Sequence, residues 1–224
     1  MYGHELIQAI ASFPPSHSVA AIMRHAARFP IANSAQPTLA EITPEGAAAA
    51  ENMGRQITGF SHVRLFHSPV KRCQQTAECL ARGLKLSGVQ VDPISAQESL
   101  GVDYILDLVE AGRLTDLHGE HFVRLWMRQE IPASVIRATK SIVEAKLSYL
   151  TSKASEPETA GHRLDLHVTH DWNILILREL MLGLRHEETG WMTFLDGLAF
   201  SVIGNEMEVV YRNHRARQKI PWKI

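Results

Sequence analysis

Three short segments of this 224-residue chain bring together permanent cations, imidazoles and a carboxylate. Arg24, His25 and Arg28 form the first, His67, Ser68 and Arg72 the second, and His170 with Asp171 the third. A guanidinium group is always charged and presents its donors as a fork. Three of them in one place suit the several oxygens of a phosphoryl group better than a single carboxylate. Phosphate is therefore the first ligand these residue types suggest.

For residues so far apart in the chain to meet, the fold must carry them to a common edge. Ser18 to Met23 (SVAAIM) is a short apolar run of the kind a buried strand needs, and it stops at Arg24. His62 to His67 alternates like a strand, and Arg163 to Val168 is a further strand candidate, with Val89 to Ile94 between them. Each cluster follows a strand, and in an open parallel sheet ligands bind beyond the carboxyl ends of the strands. Helices alternate with these strands. Thr43-Pro44 opens one that runs to about Gly59, with Thr43 as cap and Pro44 in the first turn. Ser68-Pro69 repeats that start ahead of the stripe Cys73, Ala77, Leu80 and Leu84, placing Arg72 one turn into the helix. Ile174, Leu177, Leu180 and Leu184 line one face of another helix, for which Asp171 reads as a possible cap. Leu198–Ile203 and Met207–Tyr211 flank Gly204-Asn205 as a hairpin.

The pattern predicts an α/β three-layer sandwich: a mostly parallel central sheet, helices on both faces and a C-terminal antiparallel hairpin. Residues 1–224 read as one domain with a helical insertion at about 98–157. Within it, Asp103–Ala111, His118–Gln129 and Ala133–Leu150 are the expected helices, and Ser152–Gly161 is the most linker-like stretch. No repeat or low-complexity tract is present.

Composition narrows the class. With 45% hydrophobic and 21% charged residues, disorder, collagen and coiled coil are excluded. The 23 basic and 24 acidic side chains leave a net charge of −1, which argues against broad nucleic-acid or anionic-membrane binding. No apolar run is long enough for a membrane helix, and the first residues lack the pattern of a signal peptide, so a cytoplasmic location is expected. Cys73 and Cys79, six apart in one helix, read as small core residues. Among the 12 histidines, His118 and His121 in HGEH have metal-ligand spacing without a companion ligand, and His167 reads as an interior strand residue. Trp126 and Trp191 either pack against a ligand or fill core.

Arg24-His25-Ala26-Ala27-Arg28-Phe29-Pro30 resembles the RHGxRxP motif of the histidine phosphatase superfamily, whose fold is phosphoglycerate mutase-like. Ser68 to Ala77 is similar to that superfamily's second arginine motif and Thr169 to Asn173 to its second histidine motif, in the same order. The motifs look closer to the histidine acid phosphatase branch, although the chain is short and lacks that branch's disulfides. The resemblance implies a phosphatase without metal or cofactor, in which His25 attacks phosphorus and water hydrolyses the phosphohistidine. Arg24, Arg28, Arg72 and His170 would hold the phosphate. Neighbouring arginines would keep His25 neutral, as a nucleophile requires. Asp171 is the expected proton donor and Glu98, in QESLG, its rival. A small phosphorylated molecule or a phosphorylated protein side chain is the expected substrate. A phosphomutase is the alternative, as is a noncatalytic phosphate-binding or scaffold protein, the latter because Ala26 stands where the motif has Gly.

Overall fold

The computed structural model describes residues 2–31, 38–156 and 162–219. Its centre is a mixed sheet built on β1 (Val19–Arg24), β2 (His62–His67) and β5 (Arg163–Thr169). Two-residue strands β3 (Gln90–Val91) and β4 (Ser95–Ala96) both pair with β2. On the other side β6 (Gly197–Ile203), β7 (Glu206–Tyr211) and β8 (His214–Lys219) continue antiparallel from β1. The strand order is β3-β2-β5-β1-β6-β7-β8. β1, β2 and β5 run parallel, and their register sets Arg24 beside Thr169 and His67 beside Val168. Their carboxyl ends are thus level, and the residues that follow all emerge on one edge.

Apolar side chains cover both faces. On one side α1 (His4–Ala11), α2 (Pro44–Gln56) and α3 (Lys71–Leu86) bury Leu6, Met53, Cys73 and Leu80. On the other lie α4 (Leu108–His118), α5 (His121–Met127), α6 (Thr139–Ala154) and α7 (Asp171–Leu182), whose core includes Phe122, Trp126 and Ile174. A short α8 (His186–Thr189) follows α7. Among the described residues no helix is long and apolar enough to cross a membrane.

Several expectations need correction. Thr43 caps α2 as read, its Oγ1 accepting from Gly46 N at 3.0 Å, but α2 ends at Gln56 rather than near Gly59. Ser68 does not cap α3: Val70 holds that position, so Arg72 is the second helical residue. Of the strand expected at Val89–Ile94 only Gln90–Val91 forms; Asp92 to Ile94 interrupt it, with Pro93 lacking an N–H for a ladder, and pairing resumes beyond the expected range at Ser95–Ala96. The insertion opens with a 3₁₀ turn, Glu98–Leu100. Its first helix begins at Leu108, five residues after the expected start, because Asp107 Oδ1 accepts from Val109 N and Glu110 N at 3.1 and 3.0 Å. Residues 133–138 of the expected third helix are not helical, since Ile136 bridges to Ile105. Ser152 to Ala154 close α6 instead of opening a linker, and residues 157–161 lie outside the described residues. The hydrophilic edge strand β8 and the helix α1 escaped the sequence reading.

Candidate active site

His25 is the residue directly after β1, and its backbone N–H donates to the Thr169 carbonyl at 3.0 Å, docking it against the end of β5. The ring is almost wholly buried. Arg72 Nε–H donates to His25 Nε2 at 3.0 Å, so the ring proton sits on Nδ1, 2.8 Å from the Ala26 carbonyl oxygen it donates to. Burial first, then the Arg72 charge, lower the His25 pKa from 6.5 to about 3. The imidazole is neutral at any ordinary pH, with its lone pair on Nε2.

His170 stands beside it, ring centroid to ring centroid 5.7 Å. Its Nδ1 accepts from Arg72 Nη2 at 3.0 Å, which puts the proton on Nε2, facing Ser68 Oγ at 3.0 Å. Burial and Arg72 likewise depress its pKa, well below 6.5. Ser68, read in the sequence as a helix cap, therefore orients a site histidine. Arg72 joins the two imidazoles from the first turn of α3. Its place is secured by Thr76, whose Oγ1 donates to the Arg72 carbonyl at 2.7 Å and accepts from Ala26 N at 3.0 Å. Nothing in the spacing singled out Thr76.

Arg24 and Asp171 form an ion pair, Nη2 to Oδ2, at 2.8 Å. Burial on its own would raise the Asp171 pKa, but Arg24, the Trp191 Nε1–H at 3.1 Å and the Trp172 backbone N–H at 3.0 Å outweigh it, and the carboxyl is held below its ordinary value. Asp171 is the first residue of α7, not its cap; His170 is. Arg24 also donates to the Met192 carbonyl and stacks 4.2 Å over the Phe194 ring. The 191–194 segment thus contributes Trp191, Met192 and Phe194, a loop the sequence reading left out apart from Trp191. Arg28 lies on the same cavity wall, hydrogen-bonded to the Phe29 carbonyl at 2.9 Å.

Arg24, His25, Arg28, Arg72, His170 and Asp171 all line one cavity of about 290 Å³. Its opposite wall comes from the insertion, through Tyr104, Ile105 and α4. Glu98 is exposed in its 3₁₀ turn and is not among the lining residues, so the structure does not bring it to the cluster. Asp116, unremarked in the sequence, does line the cavity. His67 is buried, bonded through Nδ1 to the Ser68 carbonyl at 2.7 Å, and does not line it. Ala26 is wholly buried in the core under α2 and α3, so its methyl points away from the cavity. Trp126 is core, stacked on Tyr104.

Metal-ligand geometry occurs once among the described residues, at Glu179, His186 and Glu187, and excludes His118 and His121. Arg124 already bridges both carboxylates there, at 2.7 Å to Glu179 and 2.6 Å to Glu187.

A family model described as the histidine phosphatase superfamily (branch 1) matches residues 21–97, the stretch carrying Arg24, His25, Arg28 and Arg72. The chain resembles the histidine phosphatase superfamily. The matching model is that of branch 1, whereas the motifs looked closer to the acid phosphatase branch; of the residues behind that reading, Arg28 and Pro30 lie inside the match and His170 and Asp171 outside it. No curated protein matches the sequence. Among solved structures, Bacillus stearothermophilus YhfR superposes with a TM-score of 0.61 at 17% identity, over 87% of this chain and 96% of its own. A mycobacterial glucosyl-3-phosphoglycerate phosphatase in complex with inorganic phosphate gives 0.59 at 15% identity, over 87% and 97%. Mycobacterial hydrolase 2 gives 0.60 at 16% identity, over 89% and 92%. At these identities the likeness is one of fold: the mixed sheet, with its parallel centre and antiparallel C-terminal strands, is that of the phosphoglycerate mutase-like proteins.

Proposed function

We propose that this protein is a phosphomonoester hydrolase that works through a phosphohistidine on Nε2 of His25. The tautomer of His25 carries the reading. With Nδ1–H committed to the Ala26 carbonyl, the nucleophilic lone pair lies on the nitrogen that faces Arg72. A phosphoryl group held by Arg24, Arg28 and Arg72 would take over the Arg72 donors and free that lone pair. The Nε2–P bond then forms as the bond from phosphorus to the leaving oxygen breaks, and the arginines neutralise charge on the equatorial oxygens. His170 joins them by shifting its proton to Nδ1. The Ser68 hydroxyl serves either tautomer, since it can donate as well as accept.

Asp171 is assigned the proton for the leaving oxygen. As an ion pair with Arg24 it starts ionised, but bound phosphate would draw Arg24 away and set negative charge beside the carboxyl, and both changes favour its protonated form. Water then attacks phosphorus, the Nε2–P bond breaks, and the Asp171 carboxylate accepts the proton that water loses. The match of a histidine phosphatase model to the nucleophile segment supports the reading, as does the fold it shares with phosphatases. The buried Ala26 methyl removes the observation that favoured a noncatalytic protein. Against a mutase stands the insertion: Arg113, Arg124, Arg128, Arg137, Lys140, Lys146 and Lys153 are all absent from the cavity wall, so among the described residues the insertion adds no second cluster of cations there. A cytoplasmic setting suits the two free cysteines.

The wild-type protein is expected to hydrolyse p-nitrophenyl phosphate in the presence of EDTA, and to yield on quenching an acid-labile, base-stable phosphoenzyme. His25→Ala should abolish both. An acid-stable adduct, or full turnover by His25→Ala, would assign the nucleophile elsewhere.

A further inference from the structure

Trp191 does not line the cavity and is only partly buried at the margin of the core, yet its indole Nε1–H donates to Asp171 Oδ2 at 3.1 Å. It sits on a loop that is fixed at both ends. Gly190, in the left-handed region at φ 81° directly after α8, offers its carbonyl to Nη2 of the wholly buried Arg178 at 3.0 Å. At the far end the loop pairs with the Arg24 backbone, Leu195 N–H donating to the Arg24 carbonyl at 3.2 Å and Arg24 N–H to the Asp196 carbonyl at 2.9 Å. The buried Asp196 carboxylate in turn accepts from Gly197 N at 2.8 Å and from the Tyr211 hydroxyl at 3.2 Å. Between these anchors the His186 ring packs at 84° to that of Trp191, with centroids 5.4 Å apart. The indole is thus held by the frame as well as by Asp171.

Oδ2 is also the oxygen that Arg24 Nη2 holds at 2.8 Å, while Oδ1 accepts from the Trp172 backbone N–H at 3.0 Å. The two partners of Oδ2 differ in one respect. On the proposed reading Arg24 turns to the phosphate when substrate binds, whereas the neutral indole stays bonded to the carboxyl. With Arg24 gone, Trp191 and Trp172 supply one donor to each oxygen, and the lone pair that Arg24 vacates on Oδ2 is an open place for a proton.

We propose that Trp191 is the positioning residue of the proton donor, keeping Oδ2 of Asp171 turned toward the phosphate cluster through both half-reactions. The Oδ2–H bond then breaks as the leaving oxygen takes the proton, and forms again as the attacking water loses one. The inference rests on the reading of Asp171 as that donor and adds the residue that orients it. Besides its neighbour His170, the titratable and charged groups that act on Asp171 among the described residues are Arg24, His25 and Arg28 beyond β1, Arg72 and Cys73 on α3, and Tyr104 in the insertion. Burial keeps the thiol, the phenol and both imidazoles neutral, so of these groups only the arginines carry charge. All of them remain when Trp191 is replaced. A change in the titration of Asp171 therefore reports the indole N–H.

The test follows the labelled carboxyl carbon of Asp171 by NMR in His25→Ala saturated with inorganic phosphate, a form that cannot turn over. Adding Trp191→Phe should raise the carboxyl pKa by about one pH unit, because a donor to a carboxylate favours its ionised form. Replacement of Trp191 by benzothienylalanine, which keeps the shape of the ring and lacks the N–H, should give the same rise. In the enzyme with His25 intact, the limb of the kcat profile for ethyl phosphate that Asp171→Asn removes should move to higher pH by a similar amount in both variants. A titration that the isostere leaves unmoved would overturn the proposal, even if Trp191→Phe moves it. So would a fall in kcat at every pH with the limb in place, the mark of lost packing alone. If the titration moves as expected but Asp171→Asn slows ethyl phosphate no more than p-nitrophenyl phosphate, the donor reading is overturned, and with it the proton path through Oδ2, while Trp191 stands as the residue that orients the carboxyl.

Discussion

The helices on the two sides of the sheet are packed by different means. Between α2 and α3 backbone meets backbone: a Cβ on Gly54 would come within 2.3 Å of the Leu80 carbonyl oxygen, and one on Gly83 within 2.0 Å of that of Glu51. On the other side large rings fill the space, Trp126, Tyr104, Phe122 and Trp172 in successive stacks, and α4 stands off far enough to leave a cavity. The first arrangement has no slack. It delivers Arg72 Nε to 3.0 Å from His25 and, through Thr76, ties the backbone at Ala26 to the same helix. The second is built around room for a ligand. On the proposed reading, the first face fixes the cluster around His25 and the second shapes the space in front of it.

Acid should act on both faces and have the largest effect. His25 and His170 at the sheet edge, and His167 beneath α6, are all buried neutral, with His25 and His167 lowered to about 3 by burial foremost and by nearby arginines. The unfolded chain protonates these rings near pH 6.5 while the folded one resists. Below pH 6.5 it therefore binds up to three more protons, and stability is lost progressively as pH falls toward 3. Urea midpoints across that window should fall steeply, and His167→Phe should flatten the slope; a midpoint constant from pH 7 to 4 would contradict the buried neutral rings.

Next in size is Arg72→Ala, which removes the donor shared by both histidines. It should lower kcat/KM for p-nitrophenyl phosphate by about a hundredfold or more, whereas Leu108→Ala on the opposite wall should stay within about tenfold. Comparable losses in the two variants would erase the division between the faces. The smallest effects come from one substitution made twice. Gly83→Ala should cost about 1–3 kcal/mol of stability, because its methyl has only the Glu51 backbone to enter. Gly112→Ala, facing the cavity, should gain up to about 1 kcal/mol from helix propensity. Chemical denaturation reads both, and the same sign at the two sites would end the comparison.

The strands at 19–24, 62–67 and 163–169, and the residues that follow each, were legible because the first is a short apolar run, the other two alternate apolar with polar residues, and cations, imidazoles or a carboxylate follow their ends. Sequence alone also supplied His25, Arg24, Arg28, Arg72, His170 and Asp171, which share one cavity. It could not place the insertion. There the helix starts depend on single side chains such as Asp107, and whether a polar residue faces cavity or solvent depends on how α4 rests on the rest of the chain. Glu98 and Asp116 show the difference: one carboxylate looked suited to the site and lies outside it, the other drew no notice and lines it. Which nitrogen of His25 holds the proton, and that Asp171 begins as the partner of Arg24, are likewise tertiary facts. Residue types and order determine which groups arrive at the end of a strand, but tautomer, charge state and the shape of the facing wall are set by neighbours far away in the chain.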